Sequence, residues 1–591
     1  MYRIIFVNLH EYIKEDIFDV PLGVLSLATK LKQNPCYNVE IVDFQYDCMI
    51  GLFKYVDDFN KNINNMCVYL LDKKPDIIGI YTMCNTYHIA LLLGRKIKEV
   101  NPKVKIMLGG PQATLTANET LKKFPWIDVI GLGEGENSIE IIVRNLLDDK
   151  SFSYEAGVAY VKEGQVINNG IAPLIEDLDS LPMLDYSFFD MTRFKSINID
   201  VGRGCPYSCI FCSTKNFWQR KFRIKSPQRL FEEIKWILYQ YGIKNFSFMH
   251  DLFTLNKKKV IEFCNLIIKG KLDIKWTCSA RIDTLDEEII YKMASSGCSN
   301  IYLGIETGSP RMQRAIGKNL NISKIYEIVD MLNKYNIIPK LSFIYGFPDE
   351  SEEDVRATIY MIETLAKKYG YLKKNIQLHR LAFFPGTELT ERYLDKLTYS
   401  EENNSTMMLT NKFPDEVMEI IKNKELFPQF YEYKTELRDR LVMFEKFIPI
   451  VYLRTMSCYK DTYRILMMYY DNNILRFYDD YKKEEEDTLR KLSFFNVNKG
   501  SNTLFKPFES INNFVQKHNF DKWDKLIKEM SRFEYNIADF LYNTKQEQKT
   551  LEFDLDVYNI KKTNNMNNIN VPIKVRFIRE DEKKISVLKI S

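Results

Sequence analysis

Residues 202–213 of this chain read Gly-Arg-Gly-Cys-Pro-Tyr-Ser-Cys-Ile-Phe-Cys-Ser. They place Cys205, Cys209 and Cys212 at CxxxCxxC spacing, directly after the run Ile-Asn-Ile-Asp-Val, which predicts a short strand at 197–201. Three thiolates this close can converge on one metal centre, and soft sulfur ligands select zinc, copper(I) or iron–sulfur clusters. Zinc would need a fourth protein ligand, and no second Cys/His pair with finger-like spacing follows. Since a four-iron cluster that only carries electrons takes four thiolates, three cysteines would leave one iron open for chemistry. Three reduced structural cysteines are the alternative.

The composition indicates a globular protein without a marked preference for a polyanionic partner. The 591 residues include 83 basic and 79 acidic side chains, a formal net charge of +4, so charge does not favour nucleic acid. Eleven cysteines in a chain of this length do not indicate a disulfide scaffold. The first eight residues predict a strand rather than a signal peptide, and no run of about 18 apolar residues predicts a membrane span. We therefore expect a reducing, cytoplasmic location.

Short apolar strands alternate with helices through residues 1–170, which predicts a doubly wound, Rossmann-like parallel sheet as the first domain. The predicted strands are 3–7, 39–44, 77–81, 105–108 and 129–131, and the predicted helices are 22–31, 51–71, 88–100 and 118–124. Such sheets bind ligands beyond the carboxyl ends of their strands. Thr82, the run Gly109-Gly110-Pro111 and the run 131–136 (Gly-Leu-Gly-Glu-Gly-Glu) follow three of these strands. The first strand lacks the GxGxxG fingerprint, which disfavours NAD.

Residues 171–195 are acidic and punctuated by proline, which indicates a linker. The alternation of strands and helices then restarts, and about six βα units within 196–395 predict an incomplete, TIM-like parallel barrel. Active sites of parallel barrels form at the carboxyl ends of their strands. Polar side chains stand at or near those predicted ends: Asp251, Ser279, Arg281, Glu306 and His379. One such residue alone reads equally well as a cap or a salt bridge, whereas their recurrence on successive strands favours a site.

Residues 396–591 have no glycine loops and no metal-ligand spacing in the sequence. Aromatic and aliphatic residues at helical intervals predict helices over much of 425–481 and over 514–542, and a β-hairpin is expected within 571–590. The many Phe and Tyr residues are interpreted as core. The hypothesis for this mostly helical module is that it caps the barrel mouth and supplies substrate specificity.

The cysteine stretch resembles the cluster loop of the radical S-adenosylmethionine (SAM) superfamily. The resemblance makes the three cysteines the ligands of a 4Fe-4S cluster whose open iron chelates the amino and carboxylate groups of SAM. It extends along the barrel, because Gly304-Ile305-Glu306 matches a fourth-strand motif of that family and Ser279 and Arg281 match third-strand positions. The implied SAM contacts are Phe211, Asp251, Ser279, Arg281 and Glu306. The family's usual Gly-Gly-Glu is replaced here by Met249-His250-Asp251.

The first domain resembles the cobalamin-binding domain that precedes the radical SAM barrel in one large subclass. The matching stretches are Pro21-Leu22-Gly23, Gly109-Gly110-Pro111 and Gly133-Glu134-Gly135-Glu136. The resemblance implies a corrinoid site lined by Thr82, Gly109, Gly110, Gly133, Glu134 and Gly135. Cobalamin domains of mutase type carry Asp-x-His-x-x-Gly after the first strand, and only His10 agrees with it here, so we expect cobalamin to bind without a protein imidazole. Some domains of this lineage keep the fold without binding corrinoid.

The resemblance implies a radical SAM enzyme that receives electrons from an external donor such as flavodoxin or ferredoxin. Cleavage of SAM would give a 5'-deoxyadenosyl radical that abstracts hydrogen from a substrate carbon, to which methylcobalamin would donate a methyl group. The predicted function is a cobalamin-dependent C-methyltransferase acting on an unactivated sp3 carbon of a peptide or small natural-product intermediate. A non-methylating radical SAM enzyme that cyclises, rearranges a ring or oxidises is the alternative. An iron–sulfur or corrinoid sensor is the third hypothesis.

Overall fold

The computed structural model describes all residues except 11–18, 154, 370–374, 400–413, 457, 493–500, 543–547, 564–570, 582–583 and 591. The chain divides into two compact units. The first unit comprises Met1–Gly304, Gln313–Pro339 and Ala382–Lys434. The second unit comprises Ile305–Met312, Lys340–Leu381 and Thr435–Ser591.

A seven-stranded sheet opens the first unit. Its strands are β1 (Tyr2–Asn8), β2 (Tyr37–Asp43), β3 (Ile77–Tyr81), β4 (Lys105–Gly109), β5 (Val129–Gly131), β6 (Val158–Lys162) and β7 (Gln165–Asn168). They lie in the order β2-β1-β3-β4-β5-β6-β7, with β1 to β5 parallel and β6 and β7 antiparallel. The helices between them are α1 (Leu22–Lys32), α2 (Phe44–Met49), α3 (Phe59–Leu71), α4 (Tyr87–Val100), α5 (Pro111–Lys123) and α6 (Ile139–Leu147). The buried apolar run of β1 is typical of a strand covered on both faces, and the predicted doubly wound sheet is confirmed.

The structure differs from the predicted elements where local signals compete with apolar periodicity. The helix expected over 51–71 begins only at Phe59, because Asp58 caps it by accepting from the backbone N–H of Lys61, and a separate short helix, α2, ends before residue 51. The helix expected at 118–124 starts earlier, at Pro111, whose fixed φ suits a first helical position. The antiparallel pair β6 and β7 extends the sheet beyond the predicted parallel strands.

The second alternation of strands and helices carries the predicted barrel. Its strands are β8 (Ser196–Asp200), β9 (Gly202–Arg203), β10 (Arg223–Ile224), β11 (Asn245–Met249), β12 (Lys275–Ala280), β13 (Cys298–Glu306), β14 (Ile338–Tyr345) and β15 (Ile376–Arg380). Its helices are α7 (Thr214–Phe217), α8 (Pro227–Tyr241), α9 (Lys257–Lys269), α10 (Glu287–Ser295), α11 (Pro310–Ala315), α12 (Ile322–Lys334) and α13 (Glu352–Tyr369). In the first unit β8, β11, β12 and β13 pair in parallel in that order, and in the second unit β14 pairs in parallel with β15. The six barrel strands confirm the predicted partial (βα)6 barrel, and the hairpin β9–β10 is additional.

After the barrel strands, the chain first completes the first unit. Here it forms Glu388–Tyr393, β16 (Thr398–Tyr399), Asp415–Ile421 and β17 (Tyr431–Glu432), and β16 pairs antiparallel with β17. The remaining helices belong to the second unit: Glu436–Arg440, Phe444–Lys446, a π-helix at Phe447–Tyr452, Leu453–Thr455, Lys460–Tyr469, Ile474–Lys491, Ser501–Lys517, Asp524–Tyr542 and Val557–Thr563. A small antiparallel sheet follows the order β18 (Gln548–Phe553), β19 (Ile573–Asp581), β20 (Lys584–Lys589). The helical C-terminal region and its terminal hairpin agree with the sequence, whereas the third strand, β18, was not predicted.

The eleven cysteines are all free thiols. Cys264, Cys278 and Cys298 come together in the core of the first unit, although their sequence spacing shows no pattern. Burial raises the pKa of Cys264 to about 12, and burial with the neighbouring Cys278 raises that of Cys298 well above its usual range. Both thiols therefore stay protonated and behave as small apolar side chains. Among the described helices, none combines the length and hydropathy needed to traverse a lipid bilayer.

Trp276 is the largest fully buried side chain of the first unit. Its ring stacks on Phe248 with centroids 4.8 Å apart and meets Phe263 edge-on at 5.9 Å. Its indole N–H donates to the carbonyl of Ser296 at 2.9 Å. The two ring contacts connect β12 to β11 and to α9.

Replacing Trp276 by Ala should lower the free energy of unfolding by about 3–5 kcal/mol, because both apolar contact and a buried hydrogen bond are lost. Urea unfolding followed by far-ultraviolet circular dichroism measures this. Trp236→Ala is the control, since Trp236 is 39% exposed, and it should cost less than about 1.5 kcal/mol. Equal losses in the two variants would contradict the assignment of Trp276 to the core.

Glu350 is a buried carboxyl group in the second unit. Its Oε2 accepts from the backbone N–H of Gly346 at 2.5 Å. Burial, reinforced by nearby Asp354, raises its pKa to about 8. The folded protein therefore keeps a proton on Glu350 at pH values where the unfolded chain has released it.

The stabilising effect of Glu350 should thus be complete at low pH and decline as pH rises towards about 8. Glu350→Gln removes this dependence, so the stability of the variant relative to the wild type should rise by about 1–3 kcal/mol between about pH 5.5 and about pH 7.5. Urea titrations at the two pH values test this, with the exposed carboxylate variant Glu436→Gln as control. A difference that stays constant with pH would refute the protonated state of Glu350.

Candidate active site

The three cysteines of the sequence motif lie in a loop closed by two short paired strands. β9 and β10 are antiparallel, with Arg203 opposite Arg223. Gly204 begins the loop with a φ of +82°, and a Cβ at this position would lie 2.1 Å from the carbonyl oxygen of Lys221. Only glycine fits directly before Cys205, so the sharp entry to the loop depends on this residue.

Backbone hydrogen bonds fix the middle of this cluster loop (residues 204–213). The N–H of Ile210 donates to the carbonyl of Ile316 at 3.1 Å, and its own carbonyl accepts from Leu389 N–H at 2.9 Å. Cys209 is buried, while the other two cysteines are half-buried. The loop is therefore held on both sides while its sulfurs remain partly accessible.

The three thiols lie close enough to influence one another's protonation. Burial raises the pKa of Cys205 to about 11, and Cys212, Asp251 and Cys209 nearby add to this effect. Burial also raises the pKa of Cys212. No three His, Cys, Asp or Glu side chains in the described part of the chain are arranged around a single metal ion. The donor set itself, three soft sulfurs on one loop, fits an iron–sulfur cluster, whose iron would deprotonate the thiols.

Arg281 places a positive charge beside Cys209. Its Nη1 lies 4.0 Å from the Cys209 sulfur, and its guanidinium stacks on the Tyr207 ring at 3.6 Å. Asp283 accepts from its Nε and Nη2 at 3.0 and 2.9 Å, and the carbonyl of Lys318 accepts from Nη2 at 2.9 Å. A cation in this position stabilises an ionised sulfur ligand. Of the other predicted SAM contacts, Ser279 and Phe211 are half-buried on β12 and in the cluster loop.

His250 and Asp251, which replace the Gly-Gly-Glu of the resembled family, both contact Gly204. The carbonyl of Gly204 lies 3.1 Å from Nε2 of His250, whose ring stacks on Phe222 with centroids 5.1 Å apart. Burial lowers the pKa of His250 to about 4, so the ring is neutral and donates this bond. Desolvation raises the pKa of Asp251, against the opposing effects of the Gly204 N–H and the Thr214 hydroxyl. These two residues therefore hold the entry of the cluster loop.

Glu306 and His379 stand at the ends of β13 and β15 within the second unit. Glu306 is buried and takes a φ of +67°, a left-handed conformation that non-glycine residues seldom adopt. Burial lowers the pKa of His379, while the carboxylates of Glu306 and Glu445 oppose this shift. The carboxylate of Glu306 thus lies close enough to His379 to affect its pKa, so the structure brings these two predicted strand-end residues near each other.

The predicted corrinoid residues at the ends of β3 and β4 lie side by side. The hydroxyl of Thr82 donates to the carbonyl of Gly109 at 2.9 Å and accepts from Ala113 N–H at 3.0 Å. Gly110 has a φ of +103°, and a Cβ there would lie 2.7 Å from the carbonyl oxygen of Thr82. Such glycines leave room for a ligand to approach the backbone, which fits a cofactor in the crevice beyond the strand ends.

The second predicted corrinoid loop, residues 133–136, contacts the first domain through Gly133 and Arg203 through its two glutamates. The N–H of Gly133 donates to the Thr114 hydroxyl at 3.1 Å, and a Cβ on Gly133 would lie 2.4 Å from the Ile171 side chain. The carboxylates of Glu134 and Glu136 are buried and accept from Arg203 at 2.8 and 2.7 Å. The two acids therefore connect this loop to β9, the strand that enters the cluster loop.

His10 is engaged at the end of β1. Its Nε2 lies 3.0 Å from Oδ1 of Asp43 and 3.1 Å from Nδ2 of Asn8, which itself donates to Asp43 Oδ2 at 2.6 Å. The three side chains form a polar cluster at the carboxyl ends of β1 and β2.

A segment after the barrel reaches the same edge of the first sheet. Gln112 Nε2 donates to the carbonyl of Leu426 at 2.6 Å, and Gln429 Nε2 donates to that of Cys84 at 2.9 Å. Phe427 packs against Tyr87 with ring centroids 5.7 Å apart. The segment 426–430 therefore covers part of the crevice edge next to Thr82.

Sequence reasoning missed the polar residues that connect these loops: Glu136, Arg203, Arg223, His250, Gln112 and Gln429. The available signal was a charged residue between two glycines at 202–204, because a charge in such a tight, apolar setting needs a buried partner. The contacts of the two glutamines join residues more than 300 positions apart, and no local pattern indicates them.

Comparison with known proteins agrees with this geometry. Residues 199–362 match the model of the radical SAM superfamily, and residues 20–143 match that of the B12 binding domain. The structure of the cobalamin-dependent S-adenosylmethionine radical enzyme OxsB with aqua-cobalamin bound superposes with a TM-score of 0.60 at 16% identity, over 91% of this chain and 81% of that chain. At that identity the likeness shows a shared fold.

Two curated relatives match long stretches of the chain. The chain is 32% identical over 376 residues to the uncharacterized methyltransferase PH0819 of Pyrococcus horikoshii, covering 63% of this chain and 78% of the relative. It is 30% identical over 302 residues to the anaerobic magnesium-protoporphyrin IX monomethyl ester cyclase of Rubrivivax gelatinosus, covering 49% of this chain and 54% of the cyclase. The chain therefore belongs to the radical SAM superfamily, among the members that also carry a B12-binding domain.

Proposed function

We propose that this protein is a cobalamin-dependent radical SAM C-methyltransferase acting on an unactivated sp3 carbon of a peptide or natural-product intermediate. The observation that carries the proposal is that the cluster loop and the glycine-lined crevice belong to one compact unit. One stretch of that unit, 382–434, contacts both through Leu389 and Gln429. A radical site and a methyl-carrying site in one unit suit methyl transfer to a substrate carbon. The methyltransferase name of PH0819 supports the same reaction.

The residues present fit the three cofactors. Cys205, Cys209 and Cys212 would hold the cluster; Phe211, Asp251, Ser279, Arg281 and Glu306 would hold SAM; Thr82, Gly109, Gly110, Gly133, Glu134 and Gly135 would line the corrinoid site. When bound, these groups supply reductive cleavage of SAM and a transferable methyl group. The chain contributes orientation, since Arg281 sets a fixed cation beside Cys209, and His250 and Asp251 hold the entry of the loop.

We also propose an external electron donor such as flavodoxin or ferredoxin, a cytoplasmic location, and a C-terminal module that supplies substrate specificity. The eleven free thiols support a reducing compartment. The second candidate function is oxidative cyclisation without methylation, which the similarity to the Rubrivivax cyclase favours. That similarity covers a smaller share of the relative than the similarity to PH0819 does.

Cys209→Ala should abolish both the iron–sulfur absorbance of the reconstituted protein and the formation of 5'-deoxyadenosine from SAM, because the cluster loses a ligand. Bound iron and chromatography of the SAM products measure this. Cys36→Ala is the matched control, since Cys36 is an exposed thiol elsewhere in the first unit, and it should behave as the wild type. Deoxyadenosine formation that survives in Cys209→Ala would overturn the cluster assignment.

The full chain, reconstituted anaerobically with iron, sulfide and hydroxocobalamin, should retain cobalt near one per chain. With reductant and methyl-labelled SAM, it should release S-adenosylhomocysteine and carry the label into the cobalamin fraction. Gly110→Ala should lose cobalt and label transfer while still cleaving SAM, because its Cβ would crowd Thr82. Gly164→Ala is the control, a glycine of similar φ with open space around it. If the wild type bound cluster iron but no cobalt, the proposal of methylation would be wrong, and a radical reaction without cobalamin would replace it.

A further inference from the structure

Arg203 lies at the centre of a largely buried group of charges between residues 133–136, here called the corrinoid-side loop, and the cluster loop. Its Nη1 donates to Glu134 at 2.8 Å, and its Nη2 donates to Glu136 at 2.7 Å and to Asp200 at 3.0 Å. Arg223, its neighbour across the β9–β10 pair, donates through Nη1 to the second oxygen of Glu134 at 2.6 Å. Three carboxylates thus face two guanidinium groups in a setting largely closed to water.

The group is held from outside as well. Oε2 of Glu134 also accepts from Ile175 N–H at 2.7 Å, and Oε1 of Glu136 accepts from the Ser26 hydroxyl at 2.8 Å. Although burial alone would raise the pKa of Glu136, Arg203 outweighs it and lowers the pKa. Both acids therefore point away from free solvent and act as fixed partners of the arginines.

The position of Arg203 in the chain gives this group its functional meaning. One residue separates it from Cys205, and that residue, Gly204, runs so close to the carbonyl of Lys221 that no Cβ would fit. The hydrogen bonds of Arg203 therefore anchor the chain one residue before Gly204 and two before the first cluster ligand. At the other end, Glu134 lies between two glycines of a loop predicted to line the corrinoid site.

We infer that Arg203, Glu134 and Glu136 are positioning residues that lock the cluster loop to the corrinoid-side loop and so fix the separation of the two cofactor sites. The effect of the lock on catalysis rests on the proposed function. The hydrogen bonds that form the lock do not depend on it. The lock needs a guanidinium group, because its N–H donors lie in one plane and can bind three carboxylates at once. The ammonium group of lysine is a point charge and cannot reach all three. The lock gives Glu134 a second role, as a partner of the arginines, beside its proposed place in the corrinoid site.

Hydrogen–deuterium exchange of the full-length protein tests the lock without depending on turnover. In Glu134→Gln, Glu136→Gln and Arg203→Lys, amides of residues 204–213 should exchange at least about tenfold faster than in the wild type, because a buried charge loses a partner. Amides of β1 should keep their wild-type rates. The control Glu140→Gln, an exposed acid in the helix that follows the loop, should change neither region. Unchanged exchange in 204–213, or equal acceleration in β1, would overturn the lock.

The reconstituted variants separate the lock from the alternatives. With hydroxocobalamin and methyl-labelled SAM, Glu136→Gln should retain iron and cobalt and form 5'-deoxyadenosine, while label transfer to cobalamin falls about tenfold or more. Loss of cobalt from Glu136→Gln with unchanged loop exchange would instead make Glu136 a corrinoid contact and refute the inference. If the wild type transfers no label while the exchange results hold, the proposed function fails and the lock stands.

Discussion

A cation shared among three carboxylates, two of them buried, connects the loop at residues 133–136 to the entry of the cluster loop. Removing a guanidinium and its acids from water carries a large desolvation cost, which only short, multiple hydrogen bonds offset. Arg203 meets this condition because its five donors lie in one plane and its partners come from one loop, residues 133–136, and from the end of β8. Because these short hydrogen bonds tolerate little displacement, the loop and the strand end that supply the partners are held in one relative position. Specificity of arrangement, more than added stability, is what such a group provides.

Around this group, hydrogen bonds to the backbone of Gly204 shape the cluster loop. Gly204 permits the turn, His250 holds its carbonyl while remaining neutral, and Asp251 receives its N–H. The resembled family places a glutamate at this strand end, whereas here a histidine and an aspartate serve the loop itself. The residues after β11 thus hold the cluster loop at Gly204. Arg281 supplies the positive charge next to Cys209.

The sequence predicted the parts of the molecule that local chemistry specifies. Cysteine spacing located the cluster loop, apolar runs located the strands of both alternations, and glycines such as Gly110 marked strand ends. It could not predict partners brought together by the fold, such as Arg203 with Glu134, because their 69-residue separation leaves no periodic trace. Helix starts were misjudged where capping by Asp58 or the preference of Pro111 outweighed hydrophobic periodicity. The predicted roles of individual SAM and corrinoid contacts remain predictions.

The segment 426–430 has a consequence for biosynthesis. Gln429 bonds to Cys84, which left the ribosome 345 residues earlier, and Leu426 accepts from Gln112 across 314 residues. The strands of the first sheet emerge early, yet the edge beside Tyr87 stays uncovered until the barrel strands have been made. An apolar edge exposed for that long is open to wrong pairings, so a nascent chain of this protein depends on protection or on late, fast closure. The first unit is thus the first to begin folding and cannot be complete until most of the polypeptide exists.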